Sequence, residues 1–171
     1  MTQGVALRTL VVSTLLLVLS SCGFSLRGSD VLSTNFTELQ FYSEQPNSDL
    51  ARLLRRSLGS AQVNVSLVNL GEEDSNVVLL GIANESLVFR PVTINPRARA
   101  AQTELRLSVD MTLLLGEQTL LEPETLFVER TYFQDVENIS GNQEEAEIIS
   151  AEMRRELINQ MMRRLAAVNP N

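Results

Sequence analysis

From Thr103 to Leu115 apolar and polar side chains alternate. Leu105, Leu107, Val109, Met111, Leu113 and Leu115 point one way, and Glu104, Arg106, Ser108, Asp110 and Thr112 point the other. A period of two is met only by an extended strand, and a one-sided apolar row means one face packed and one face wet. Such a sheet needs a covering layer. The C-terminal segment supplies it. Between about Asn142 and Val168, Ala146, Ile149, Met153, Leu157, Met161 and Leu165 recur at helical spacing, with Ile148, Ile158 and Met162 widening the stripe. Glu144, Glu145 and Glu147 fall early in this helix and Arg163 and Arg164 late, which suits the helix dipole. Either Asn142, three before Glu145, or Ser140, three before Gln143, is placed to cap it.

The remaining elements fit around this pair. A polar tether over Ser25–Asn35 leads to a short strand near Leu39–Tyr42. Pro46-Asn47-Ser48-Asp49 supplies a turn and a cap for a helix carrying Leu50, Leu53, Leu54 and Leu58, with Gly59 as its stop. Arg52, Arg55 and Arg56 take the outer face of that helix, where a solvated face is preferred to a ligand patch. Val63, Val65 and Leu67 alternate with polar residues as a half-buried strand, and Gly71–Asn76 is a turn. Val77–Arg90 is a longer strand whose first four residues read as buried on both faces. After Leu115, Gly116-Glu117-Gln118 turns the chain, Pro123 breaks it, and Thr125–Phe133 returns as a strand. The expected fold is an α/β two-layer sandwich: a small mixed sheet of about four or five strands with two helices on one face.

The N-terminus has a different character. Arg8 precedes the apolar run Leu10–Leu19, and small residues follow, the order of a secretory signal peptide too short to span a bilayer. Leu19-Ser20-Ser21-Cys22 resembles a bacterial lipobox, which implies cleavage before Cys22, a thioether-linked diacylglycerol on its sulfur and acylation of the new amino terminus. Two or more acyl chains anchor stably, at about 0.8 kcal/mol per buried methylene. Cys22 is the only cysteine, and lipidation accounts for a lone thiol in an oxidising compartment. Gly23 rather than Asp follows it, so by resemblance to enterobacterial lipoproteins the expected address is the outer membrane. The expected organisation is a removed signal peptide over 1–21, a lipidated tether over 22–35 and one domain over 36–171.

Composition narrows the chemistry. The net charge of −7 becomes −8 once Arg8 leaves with the signal peptide, which disfavours nucleic acid as a partner. There is no histidine, and no glycine-rich phosphate loop, so nucleophile–histidine catalysis and histidine-based zinc sites are excluded. A carboxylate pair remains as the one route to hydrolysis. The acidic residues mostly fall on wet strand positions or a helix's polar face, so binding is expected, with no cofactor and no metal. All 14 basic residues are arginine. Three of them, Arg90, Arg97 and Arg99, cluster with Pro91 and Pro96 where two long strands meet. Prolines stiffen such a tip, and arginine forks suit phosphate or carboxylate. A solvent-exposed connection accounts for the segment equally well.

The opening Cys22-Gly23-Phe24-Ser25-Leu26-Arg27-Gly28 resembles that of the LPS-assembly lipoproteins of the LptE (RlpB) type. Phe89-Arg90 at a strand end, Arg130-Thr131-Tyr132-Phe133-Gln134-Asp135 closing the last strand and Glu152-Met153 in the last helix match in order. The resemblance implies an outer-membrane lipoprotein that plugs a large β-barrel, LptD, supports its folding and binds lipopolysaccharide on its way to the cell surface. It implies no covalent chemistry. Arg90 maps onto the family's Phe-Arg position and is the first candidate for contacting LPS phosphates. Asn142 stands where some members carry Lys, and charge alone puts Arg97 and Arg99 forward as substitutes. The alternative is a generic lipid-anchored envelope scaffold or pilotin-like module with no LPS role.

Overall fold

The structure is a computed structural model that describes residues 29–94, 100–133 and 139–169. In chain order its elements are α1 (Ser29–Asn35), β1 (Glu38–Ser43), α2 (Asp49–Ser60), β2 (Asn64–Leu67), β3 (Leu79–Ile94), β4 (Ala100–Leu115), β5 (Gln118–Phe133) and α3 (Ile139–Ala167). The sheet order is β2-β1-β3-β4-β5. Strand β1 runs parallel to both its neighbours, while β3, β4 and β5 form an antiparallel meander. This is the expected mixed sheet of five strands under one helical layer, with the short α1 as an addition.

The alternation along β4 sets the layers. Leu105, Leu107, Val109, Met111 and Leu113 are buried, and they meet Met153, Leu157, Ile158, Met161 and Leu165 of α3 in one core. From α2, Leu50, Ala51, Leu54 and Leu58 join the same core over Leu39 and Phe41 of β1. Two ion pairs fix α3 along β5: Arg130 with Glu156, and Arg164 Nε with Glu124 Oε1 at 3.1 Å.

Several local expectations change. The tether over 22–35 gives way to helix from Ser29, because Leu32 and Phe36, four apart, are buried in the core. Asn35 Nδ2 donates to the Val168 carbonyl at 2.9 Å and ties α1 to the end of α3. Ser48 caps α2 as expected, accepting from the Ala51 N–H at 3.1 Å. Gly59 does not stop that helix. The residue with positive φ is Gln62 (φ 61), and Val63 N–H to Leu58 and Gln62 N–H to Gly59 close a Schellman motif around it. Helix α3 starts at Ile139, so Ser140 and Asn142 lie inside it and not at its N-cap position, and the glutamates fall beyond its first turn. Ile148 is 55% exposed and leaves the stripe.

Pro123 does not break β5. It sits on an edge strand where Met111 pairs with Glu124 but Leu113 pairs with Leu121, so β5 carries one extra residue there. A bulge on an edge tolerates proline's missing N–H. In β3 a similar shift falls between Ala83 and Ser86. Asn84 takes φ 52 within it, a left-handed position that asparagine accepts more readily than most residues. The bulge comes just where pairing with β1 ends, at Ser43 and Ile82. Beyond it, among the described residues, three strands continue, as the outer part of elements about 50 Å long.

Candidate functional site

Residues directly opposed across an antiparallel pair share a face, so the register names the surface that the helices leave open. On it lie Val88 and Arg90 of β3, Glu104 and Arg106 of β4, and Phe127 and Glu129 of β5. Val88 is 51% exposed and Phe127 44%. Among the described residues the outer edge of β3 is also uncovered here, since β1 has ended, and Val92 and, on the helical side of the strand, Phe89 are exposed beside it.

Electrostatics order this face. Arg90 Nη2 donates to Glu104 Oε1 at 2.7 Å, directly across the strand pair. Its side chain stays 71% exposed, so most of its donors face solvent. Arg106 Nη1 donates to Glu129 Oε1 at 2.5 Å, and its guanidinium lies 4.0 Å over the Phe127 ring. One row nearer the bulge, the Asn84 amide and the Thr125 hydroxyl both donate to the Asp110 carboxylate, at 2.8 and 2.5 Å. The Thr125 bond first and the Asn84 bond second hold this carboxyl below its ordinary value, so it stays ionised. Three strands are thereby laced together at the point where the sheet narrows.

Of the residues singled out from sequence, Arg90 is on this face. Cys22, Arg97 and Arg99 lie outside the described residues. Phe127 was missed, although the triplet Leu126-Phe127-Val128 interrupts the two-residue alternation and marks an aromatic on the wet side.

At the other end of the open face, the chain from 68 to 78 crosses over β1 between β2 and β3. The Gln40 side chain accepts the Asp74 N–H at 3.0 Å and holds this crossing down. A cleft of about 500 Å³ forms beside it, floored by Val77, Leu79 and Leu114 and rimmed by Glu73, Asp74 and Glu117. Hydrogen bonds from the Asn76 backbone and side chain keep the Asp74 carboxyl below its ordinary value, which is unsuited to a general acid at neutral pH.

A one-sided helical layer and an exposed sheet face bearing arginine and aromatic side chains define a small α/β sandwich with one open face. The chain belongs to the LptE family: the family model described as lipopolysaccharide-assembly matches residues 36–165, from before β1 almost to the end of α3. It is 30% identical over 161 residues to the LPS-assembly lipoprotein LptE of Yersinia pestis, covering 94% of this chain and 76% of that protein. With the protein of the same name from Photorhabdus laumondii the identity is 27%, covering 94% and 86%. The fold is similar to that of rare lipoprotein B from Shewanella oneidensis, with TM-score 0.65 and 22% identity over 76% of this chain and 94% of that one. Lipoprotein B from Nitrosomonas europaea aligns with the same TM-score at 22% identity, over 85% and 91%.

Proposed function

We propose that this chain is an outer-membrane lipoprotein of lipopolysaccharide assembly, anchored through acyl chains on Cys22. It seats as the plug of an LptD β-barrel, supports the folding of that barrel and contacts LPS in transit. It performs no covalent chemistry. Family membership across the whole sandwich is the observation that carries this reading. The open face supports it: exposed Val88 and Phe127 offer apolar contact, while Arg90 offers charge-assisted donors to a phosphate. With a net charge of −8 from Cys22 onward there is no long-range attraction to anionic LPS, so recognition is local.

The test is LPS binding by Arg90 variants. Arg90→Gln keeps length and removes charge, whereas Arg90→Glu also sets a carboxylate directly opposite Glu104. Both variants are expected to bind LPS more weakly while retaining the barrel. Unchanged LPS affinity in both removes Arg90 from the contact.

A further inference from the structure

The arginines of α2 are clustered around one surface depression. On the sheet and α3, four arginines are matched with carboxylates: Arg90 with Glu104, Arg106 with Glu129, Arg130 with Glu156 and Arg164 with Glu124. On α2, Arg52, Arg55 and Arg56 share one outward face by their spacing and line a shallow, solvent-open depression of about 620 Å³. A fourth guanidinium, Arg154 of α3, approaches the start of the same helix, with its Nη2 4.0 Å from Asp49 Oδ2. Arg52 Nη2 donates to the other Asp49 oxygen at 2.5 Å. The Arg52 hydrogen bond, followed by the charges of Arg154, Arg52 and Arg56, holds the Asp49 carboxyl below its ordinary value. Three cations, Arg52, Arg154 and Arg56, thus act on one ionised carboxylate, with Arg55 on the same helix face. Among the described residues Arg55 and Arg56 make no ion pair.

Two donors here also lack acceptors. Arg55 Nε and Arg154 Nε are shielded from solvent and make no hydrogen bond. A shielded N–H without a partner is costly until an acceptor arrives. Excess positive charge and planar donor forks match the several oxygens of a phosphate better than they match one carboxylate. We propose that the α2 face formed by Arg52, Arg55 and Arg56, with Arg154, binds a phosphate-bearing anion. This site lies in the helical layer, on the other side of the sheet from Arg90, and is independent of it. A lipid headgroup and a free phosphate present the same chemistry.

The full chain, isotope-labelled at arginine nitrogen and held in zwitterionic detergent micelles, is titrated at constant ionic strength. One arm adds inorganic phosphate and the other mixes phosphatidylglycerol into the micelles. Saturable shifts of the Arg55 and Arg154 Nε–H resonances are expected. Saturation by inorganic phosphate identifies free phosphate as a ligand, and saturation by the lipid alone identifies a headgroup. Arg55→Gln/Arg56→Gln should weaken binding about tenfold, the loss of one charge-assisted hydrogen bond. Arg56→Gln alone, at an exposed position, should weaken it in the same direction. Arg90→Gln should titrate like the unaltered chain. Linear shifts in both arms, or equal shifts with chloride, overturn the proposal, as does an Arg90→Gln loss as large as that of the α2 pair.

Discussion

Truncating Leu157 to Ala tests how α3 is seated. Leu157 is 0% exposed and lies at the centre of the stripe that covers β4 and β5. Removing its branched end forfeits about 2–3 kcal/mol of transfer free energy. The cavity left behind, only partly closed by the neighbouring methionines and leucines, adds about 1 kcal/mol. The expected loss is therefore about 3–4 kcal/mol. For a domain of this size each kcal/mol moves the midpoint by about 2–4 °C, so thermal unfolding followed by circular dichroism should show a fall of about 6–16 °C. Ile148→Ala is the matched control. Read from sequence alone, Ile148 belongs to the same stripe, but it is 55% exposed, and its truncation should cost no more than about 0.5 kcal/mol. If the two variants shift the midpoint equally, the helix is seated on a different face and the core assignment is refuted.

Other perturbations reach other parts of the account. Asp110 has a folded-state pKa below its ordinary value of 3.8, so its stabilising contribution is present at neutral pH and is lost as pH falls through the folded value. Asp110→Asn should therefore lower the urea midpoint at pH 7 and leave it near that of the unaltered chain once both are fully protonated at low pH. Gln62→Gly relieves a left-handed residue at the end of α2 and should raise stability by up to about 1 kcal/mol, read from the same urea curves. Arg106→Ala removes both the cation over Phe127 and the partner of Glu129. Because the pair is exposed, the loss should stay within about 1 kcal/mol, with the fold retained by circular dichroism.

Periodicity made the frame legible. Unbroken alternation from Leu105 to Leu113 and helical recurrence from Met153 to Leu165 gave the two faces that pack together, and both are buried as their periods require. The misses share a cause: they depend on partners distant in sequence. Leu32 and Phe36 looked like isolated apolar residues in a polar stretch until the end of α3 came to cover them. Pro123 is harmless because β5 turned out to be an edge with a bulge at that point. The β3 bulge did leave a trace, since inward residues change phase from Leu80 and Ile82 to Leu87 and Phe89. At the candidate site, Arg90 was visible as a charge at a strand end. Its pairing with Glu104 was not, because only the register of β3 on β4 places them opposite one another.

The most direct test of the central claim is affinity purification of the tagged full-length protein from detergent-solubilised outer membranes. Recovery with a single large β-barrel protein at a one-to-one ratio is the result expected of a barrel plug in lipopolysaccharide assembly. Recovery alone, or with components of a secretion complex, contradicts it and leaves a generic envelope lipoprotein.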